Sequence, residues 1–248
     1  MSEPYALYYW PTIQGRGEFV RLALEDAGVE YIDVARLSER EGGGVKAMLR
    51  VLSDHSVAHP PFAPPVLRAG NQWISQTANI LQYMGPRLGL APTGEADRVF
   101  ANGLQLTLAD LVVEAHDVHH PVGVSLYYDE QRPEALRRAP LFLAERMPKF
   151  LGYFERVLAN NAASGSRYLV GERHSYVDLS MFQVLSGLAY AFPNAFRRLE
   201  PTVPNLAALR ERVASRPRIA AYLSSPRRIP FNEEGIFRSY PELDPESD

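Results

Sequence analysis

Residues 7–21 read LYYWPTIQGRGEFVR, and the way this stretch divides decides the fold. Aromatic residues favour a pleated backbone, so Tyr5–Trp10 predicts a short strand. Pro11, Gly15 and the Arg16-Gly17 pair then break the pattern. Beyond them Val20, Leu24 and Ala27 recur at i, i+4 and i+7, with Phe19 and Ala23 alongside. That spacing predicts a helix with one apolar face. Gly28 stands where a glycine would end it. The following EYIDVAR, residues 30–36, predicts a second strand. Strand, helix, strand is the start of a βαβ unit. Tyr8 and Tyr9 lie near the end of the first strand, where alternation sends their side chains to opposite faces. At most one of them can face a ligand there, and packing is the plainer use of both.

Further along, Gly42–Gly44 predicts a mobile loop and residues 45–52 a short helix. HPPFAPPVL, residues 59–67, supplies four prolines within six positions and then an extended segment. VLRAG and GNQWIS, residues 66–75, predict a hairpin. Gln76 and Thr77 precede Ile80, Leu81 and Met84, a short amphipathic helix for which Thr77 is the expected N-cap. From about residue 95 the strand signal is gone. Leu104, Leu108, Leu111, Ala115 and Val118 hold one helical face, and Met147, Leu151, Phe154 and Leu158 another. SYVDLSMFQVLSGLAYAF (175–192) and PNLAALRERVASRPRIAAYL (204–223) also predict helix. Ser175 and Asp178 have the spacing of a capping box, whose role is folding. The segment from Ile229 onward predicts an ordered arm rather than a helix, either folded back or exposed. The fold class is therefore α/β followed by all-α, with domains at 1–90 and 95–248.

Composition narrows the chemistry. The chain has 248 residues, 46% hydrophobic and 22% charged, with a net charge of −3. This is the balance of a folded protein without a bias toward nucleic acid or anionic membrane. The start of the chain lacks the pattern of a secretory signal. The longest apolar run, near Val184–Phe192, is far short of the roughly 20 residues that span a bilayer. A cytoplasmic location, with no nucleic-acid or membrane partner, is the expectation. There is no cysteine, so any thiol chemistry must use a thiol on a ligand.

Four segments in order resemble the cytosolic glutathione S-transferase family. YYWPTIQGRGEFVR resembles its first strand, catalytic tyrosine and first helix. APPVL resembles its cis-proline turn, ISQTANILQY its Gln-Ser-x-x-Ile-Leu stretch, and LVGERHSYVDLSMF the capping box of its helical domain. HDVHHP and the final segment suggest a less familiar bacterial or fungal branch. The resemblance covers nearly the whole chain. It implies a thioredoxin-like domain followed by a helical one, glutathione as co-substrate, a small hydrophobic electrophile as second substrate, and a homodimer.

It also implies roles. Tyr9, with Tyr8 as the alternative, would donate a hydrogen bond to the glutathione sulfur and stabilise the thiolate. One extra residue separates Trp10 from Gly15. Pro64 and Pro65 would meet the cysteinyl part of glutathione, but Pro64 has no N–H to donate. Gln76 and Thr77, at a helix N-terminus, would hold the γ-glutamyl carboxylate. Arg16 could add charge to that carboxylate, Lys46 could reach the glycine carboxylate, and Asp110 could meet the ligand's ammonium. Trp10, His116, His119 and His120 would line the electrophile pocket. Histidines at i and i+4 on one helix face can also bind zinc. No third ligand is evident from the sequence, so the expectation is no metal, with pocket and structural roles for the histidines both open.

Overall fold

The computed structural model describes residues 4–246. They form two units. The first holds the chain up to Ala91 together with Arg216–Pro230, and the second holds Pro92–Ser215 and the segment from Phe231.

The first unit has a four-stranded sheet in the order β2-β1-β3-β4. The elements run β1 (Tyr5–Tyr8), α1 (Gly17–Ala27), β2 (Tyr31–Asp33), α2 (Gly44–Ser53), β3 (Val66–Ala69), β4 (Gln72–Ser75) and α3 (Thr77–Arg87). β1 pairs with β2 in parallel, as a βαβ unit requires, and antiparallel with β3. This is the thioredoxin-like arrangement. Leu7, Val20, Leu24, Leu67, Ile80 and Leu81 are fully buried and form its core. α1 ends at Gly28 in the left-handed region, whose N–H caps the last turn.

Several boundaries differ from the sequence reading. β1 stops at Tyr8, so Tyr9 and Trp10 belong to the following turn. β2 ends at Asp33 because Val34–Arg36 curl into a 3₁₀ turn. Gln76, not Thr77, is the N-cap of α3, and Thr77 is its first helical residue.

In the second unit the elements are α4 (Glu95–His119), α5 (Arg132–Leu141), α6 (Met147–Asn160), α7 (Tyr176–Ala191), α8 (Pro193–Leu199) and α9 (Pro204–Ala214). α7 is buried along most of its length. Its capping box is complete: the Asp178 carboxylate accepts from the Ser175 N–H at 2.7 Å and from its hydroxyl at 2.9 Å. The same carboxylate accepts from the Leu169 N–H at 2.8 Å, which ties the preceding loop to the helix start.

The sequence placed 204–223 in one domain. The helix instead breaks at Ser215–Arg216, where Pro217 begins α10 (Pro217–Leu223), which packs into the first unit. Arg216 forms a bidentate pair with Asp26 of α1 at 2.6 and 2.9 Å, and the Tyr222 hydroxyl donates to Glu18 at 2.6 Å. Among the described residues no helix is long and apolar enough to cross a membrane.

Candidate functional site

The strand register gathers three predicted segments of the first unit at one end of the sheet. Tyr8 pairs with Val66, and Val66 with Ser75. The next step along β1 is Tyr9, the residue before Val66 is Pro65, and the residue after Ser75 is Gln76. The Pro64–Pro65 peptide bond is cis.

Tyr9 is buried, with 4% of its surface exposed. Its hydroxyl oxygen accepts the Arg16 backbone N–H at 2.7 Å. The glycines on either side of Arg16 make room for the ring. A Cβ on Gly15 would lie 2.1 Å from the hydroxyl oxygen, and one on Gly17 would lie 2.5 Å from ring carbons. Gly15 also has φ +45°, a region that suits glycine. Burial pushes the Tyr9 phenol up from its ordinary value. The Arg16 N–H and the charges of Arg16 and Arg21 oppose that shift without reversing it. The result is a neutral phenol at pH 7 whose oxygen is already held by a donor, leaving its own O–H to be donated. Tyr8 is half-buried and rests against Trp73, ring centroids 5.4 Å apart.

The Arg16 peptide reaches a second segment. The Thr77 hydroxyl donates to the Arg16 carbonyl at 3.4 Å, so it does not cap α3 as expected. Gln76 is exposed and has φ 69°, an uncommon conformation for a residue with a side chain. It is the sort of local strain that collects at functional positions. Trp10 is 38% exposed beside this turn. Lys46 is exposed on α2 and pairs with Glu39 at 2.9 Å, not with any of these residues. A groove of about 720 Å³, lined by Tyr31, Asp33, Arg36, Leu37 and Arg227, includes none of the predicted site residues.

The other predicted residues lie on α4 of the second unit. Asp110 is exposed. The three histidines at the helix end form a cluster with ring centroids 4.8–5.3 Å apart. His119 does not behave as an open pocket imidazole. It is 1% exposed, its Nε2 donates to the Ile236 carbonyl at 2.8 Å, and its Nδ1 lies 2.6 Å from His120 Nδ1. Burial holds His119 down to about 2 and His120 down to about 4. His116 is half-buried and donates from Nδ1 to Asp117 at 3.1 Å. The segment carrying Ile236 is folded back within its unit: the Phe237 ring fills the space over Gly187, and Tyr240 stacks on Tyr128 at 3.8 Å.

Sequence reasoning missed the supports of the Tyr9 turn. Gln14 donates to the Ile229 carbonyl, and Glu18, fully buried, meets Arg21, Tyr222 and Arg228. The signal that was available is the Gly-Arg-Gly triplet itself, since glycines five and three residues before Val20 mark a close approach.

The helical half of the chain, residues 116–226, matches the family model "Glutathione S-transferase, C-terminal domain". Over 91% of this chain and 97% of its relative, the sequence is 23% identical to a glutathione S-transferase of Plasmodium falciparum. It is 26% identical to glutathione S-transferase P 1 of Xenopus laevis, covering 90% and 93%. The Pi-class glutathione S-transferase of Onchocerca volvulus superposes with a TM-score of 0.67 at 21% identity, covering 89% of this chain and 92% of that one. In its sheet order, its motifs and these relatives, the chain is similar to glutathione S-transferases over most of its length, with the family-model match confined to residues 116–226.

Proposed function

We propose that the protein is a glutathione-dependent transferase in which Tyr9 activates the thiol. The observation that carries this reading is the Tyr9 hydroxyl, seated on the Arg16 N–H between two obligatory glycines. A thiol with an ordinary pKa of ~8.5 is only a few per cent ionised at pH 7. A neutral phenol donating to the sulfur favours the anion and lowers that pKa. The thiolate then attacks an electrophilic carbon: a C–S bond forms, the thiol proton passes to solvent, and any leaving group departs with its electron pair. Gln76, Thr77 and Arg16 serve the γ-glutamyl end, and Pro64 and Pro65 the cysteinyl end. Homodimer formation, with Asp110 reaching the ligand's ammonium, belongs to the same reading, as does a cytoplasmic location.

Replacing Tyr9 with Phe tests the assignment. The ultraviolet thiolate band of the glutathione complex should titrate at higher pH, and kcat/KM should fall about 10²-fold, as when one anion-stabilising donor is removed. An unchanged thiolate titration would remove Tyr9 from this role.

One observation favours a second reading, a non-catalytic binding or interaction protein on the same fold. Pro64 cannot offer the N–H that the family's equivalent position provides. An unpaired ligand carbonyl weakens binding by about 1–3 kcal/mol. Calorimetric titration with glutathione separates the two readings: a dissociation constant of low millimolar or below fits the enzyme, and no uptake fits the alternative.

A further inference from the structure

We infer that His116, His119 and His120 form a binding site for one divalent cation of the zinc class, at the C-terminal end of α4. One ligand atom from each imidazole lies within 4.8 Å of the others. Two of the rings are already oriented as metal-ligating histidines usually are, with the second ring nitrogen donating to a carbonyl or carboxylate. His119 Nε2 donates to the Ile236 carbonyl, which leaves Nδ1 as its lone-pair nitrogen; that atom accepts from His120 Nδ1 at 2.6 Å, a hydrogen bond that metal binding would replace. His116 donates from Nδ1 to Asp117.

The electrostatics are mixed and can be weighed. The last turn of a 25-residue helix presents partial negative charge to this position. The Asp117 carboxylate adds to it. Arg238 opposes it, but its guanidinium is turned to the carbonyls of Gly235 and Glu234 at 2.8 and 3.2 Å. Three imidazoles with no thiolate suit zinc, copper or nickel over magnesium or calcium. Ligands about 2.0–2.1 Å from a zinc lie roughly 3.3 Å apart, so small ring rotations close the 4.8 Å spread. A fourth position would be left for water. This extends to a third ligand what the sequence offered only as a pair: the backbone turns at His120, φ −132° and ψ 58°, so that His120 closes on His119.

The test is titration of the chelator-stripped full-length protein with zinc chloride, followed by calorimetry. One equivalent should bind with a dissociation constant in the micromolar range or tighter. His116→Gln, at a half-buried position, and His120→Gln should each weaken uptake about 10²-fold, a loss at least as large as removing an outer-shell partner. The His55→Gln/His59→Gln double variant should leave it unchanged. Cobalt titration of the unmodified protein provides a readout independent of any variant's folding: visible d–d bands of a four-coordinate nitrogen-ligated ion should appear at one equivalent. A flat cobalt spectrum overturns the site. So does zinc uptake that is indifferent to His116→Gln and His120→Gln in circular-dichroism-validated protein. Neither result touches the Tyr9 reading, which rests on the other unit.

Discussion

At the scale of single residues, the site depends on space as much as on the phenol. Tyr9 can sit against the Arg16 N–H only because positions 15 and 17 lack a Cβ. Gly17→Ala puts a methyl 2.5 Å from the Tyr9 ring, and the ring has no open side because it is nearly fully buried. Overpacking of this kind costs about 1–3 kcal/mol. Thermal unfolding should therefore show a lower Tm for Gly17→Ala, and the thiolate band of its glutathione complex should titrate at higher pH. A variant with normal Tm and normal titration would mean that the ring has room to move and that Arg16 does not fix it. Tyr9 was legible as one of two candidates because aromatic residues crowd the end of a strand. Alternation could not rank Tyr8 against Tyr9, because β1 ends two residues early and Tyr9 lies in the turn. The structural role left open for His119 was legible only in part. Helical spacing put it near the core face, but its partner, the Ile236 carbonyl, lies 117 residues away.

At the scale of elements, α1 is held by charges that a periodic reading assigns to solvent. Glu18, Arg21 and Glu25 fall at i, i+3 and i+7, and from sequence alone they look like an exposed face. Glu18 and Arg21 are instead fully buried. Arg21 bridges Glu18 and Asp33, and Glu18 also meets Tyr222 and Arg228. Burial makes the cluster sensitive to loss of one member: an uncompensated buried charge destabilises by about 3–5 kcal/mol. Glu18→Gln keeps the shape and removes the charge that faces Arg21 and Arg228. Asp33 still compensates Arg21, so the lower end of that range, about 3 kcal/mol, is expected in denaturant unfolding. Arg227→Ala is the comparison. Its pair with Glu25 is largely exposed at the arginine, so the expected change is about 1 kcal/mol or less. Equal effects from the two variants would show that the Glu18 cluster is relaxed by water rather than buried. The capping box of α7 was legible in full because its signal is local: Ser175 and Asp178 are three residues apart, and their bonds are formed as expected.

At the scale of the whole molecule, the chain enters each unit twice, and this was not legible. PNLAALRERVASRPRIAAYL has helical periodicity on both sides of Ser215, and no composition shift marks the change of unit. What separates the two pieces is long-range: Arg216 finds Asp26, Tyr222 finds Glu18, and Gln14 finds the Ile229 carbonyl. The segment from Phe231 then returns to the second unit, where Ile236 receives His119 and Asp244 accepts from the N–H groups of Asn194 and Ala195 at the start of α8. The two returning segments should therefore protect different helices. Ending the chain after Pro230 keeps every partner of α1 named above but removes the acceptor of His119 Nε2 and the Asp244 cap. Amide hydrogen exchange should then accelerate at the C-terminal turn of α4 and the first turn of α8, with α1 unchanged. Ending it after Ser215 additionally removes Arg216, Tyr222, Arg228 and the Ile229 carbonyl, and exchange in α1 and the Tyr9 turn should rise sharply. If the shorter truncation loosened α1 as much as the longer one, the first unit would depend on the final segment and not on α10, and the pairing of α1 with α10 would lose its role in holding the Tyr9 turn.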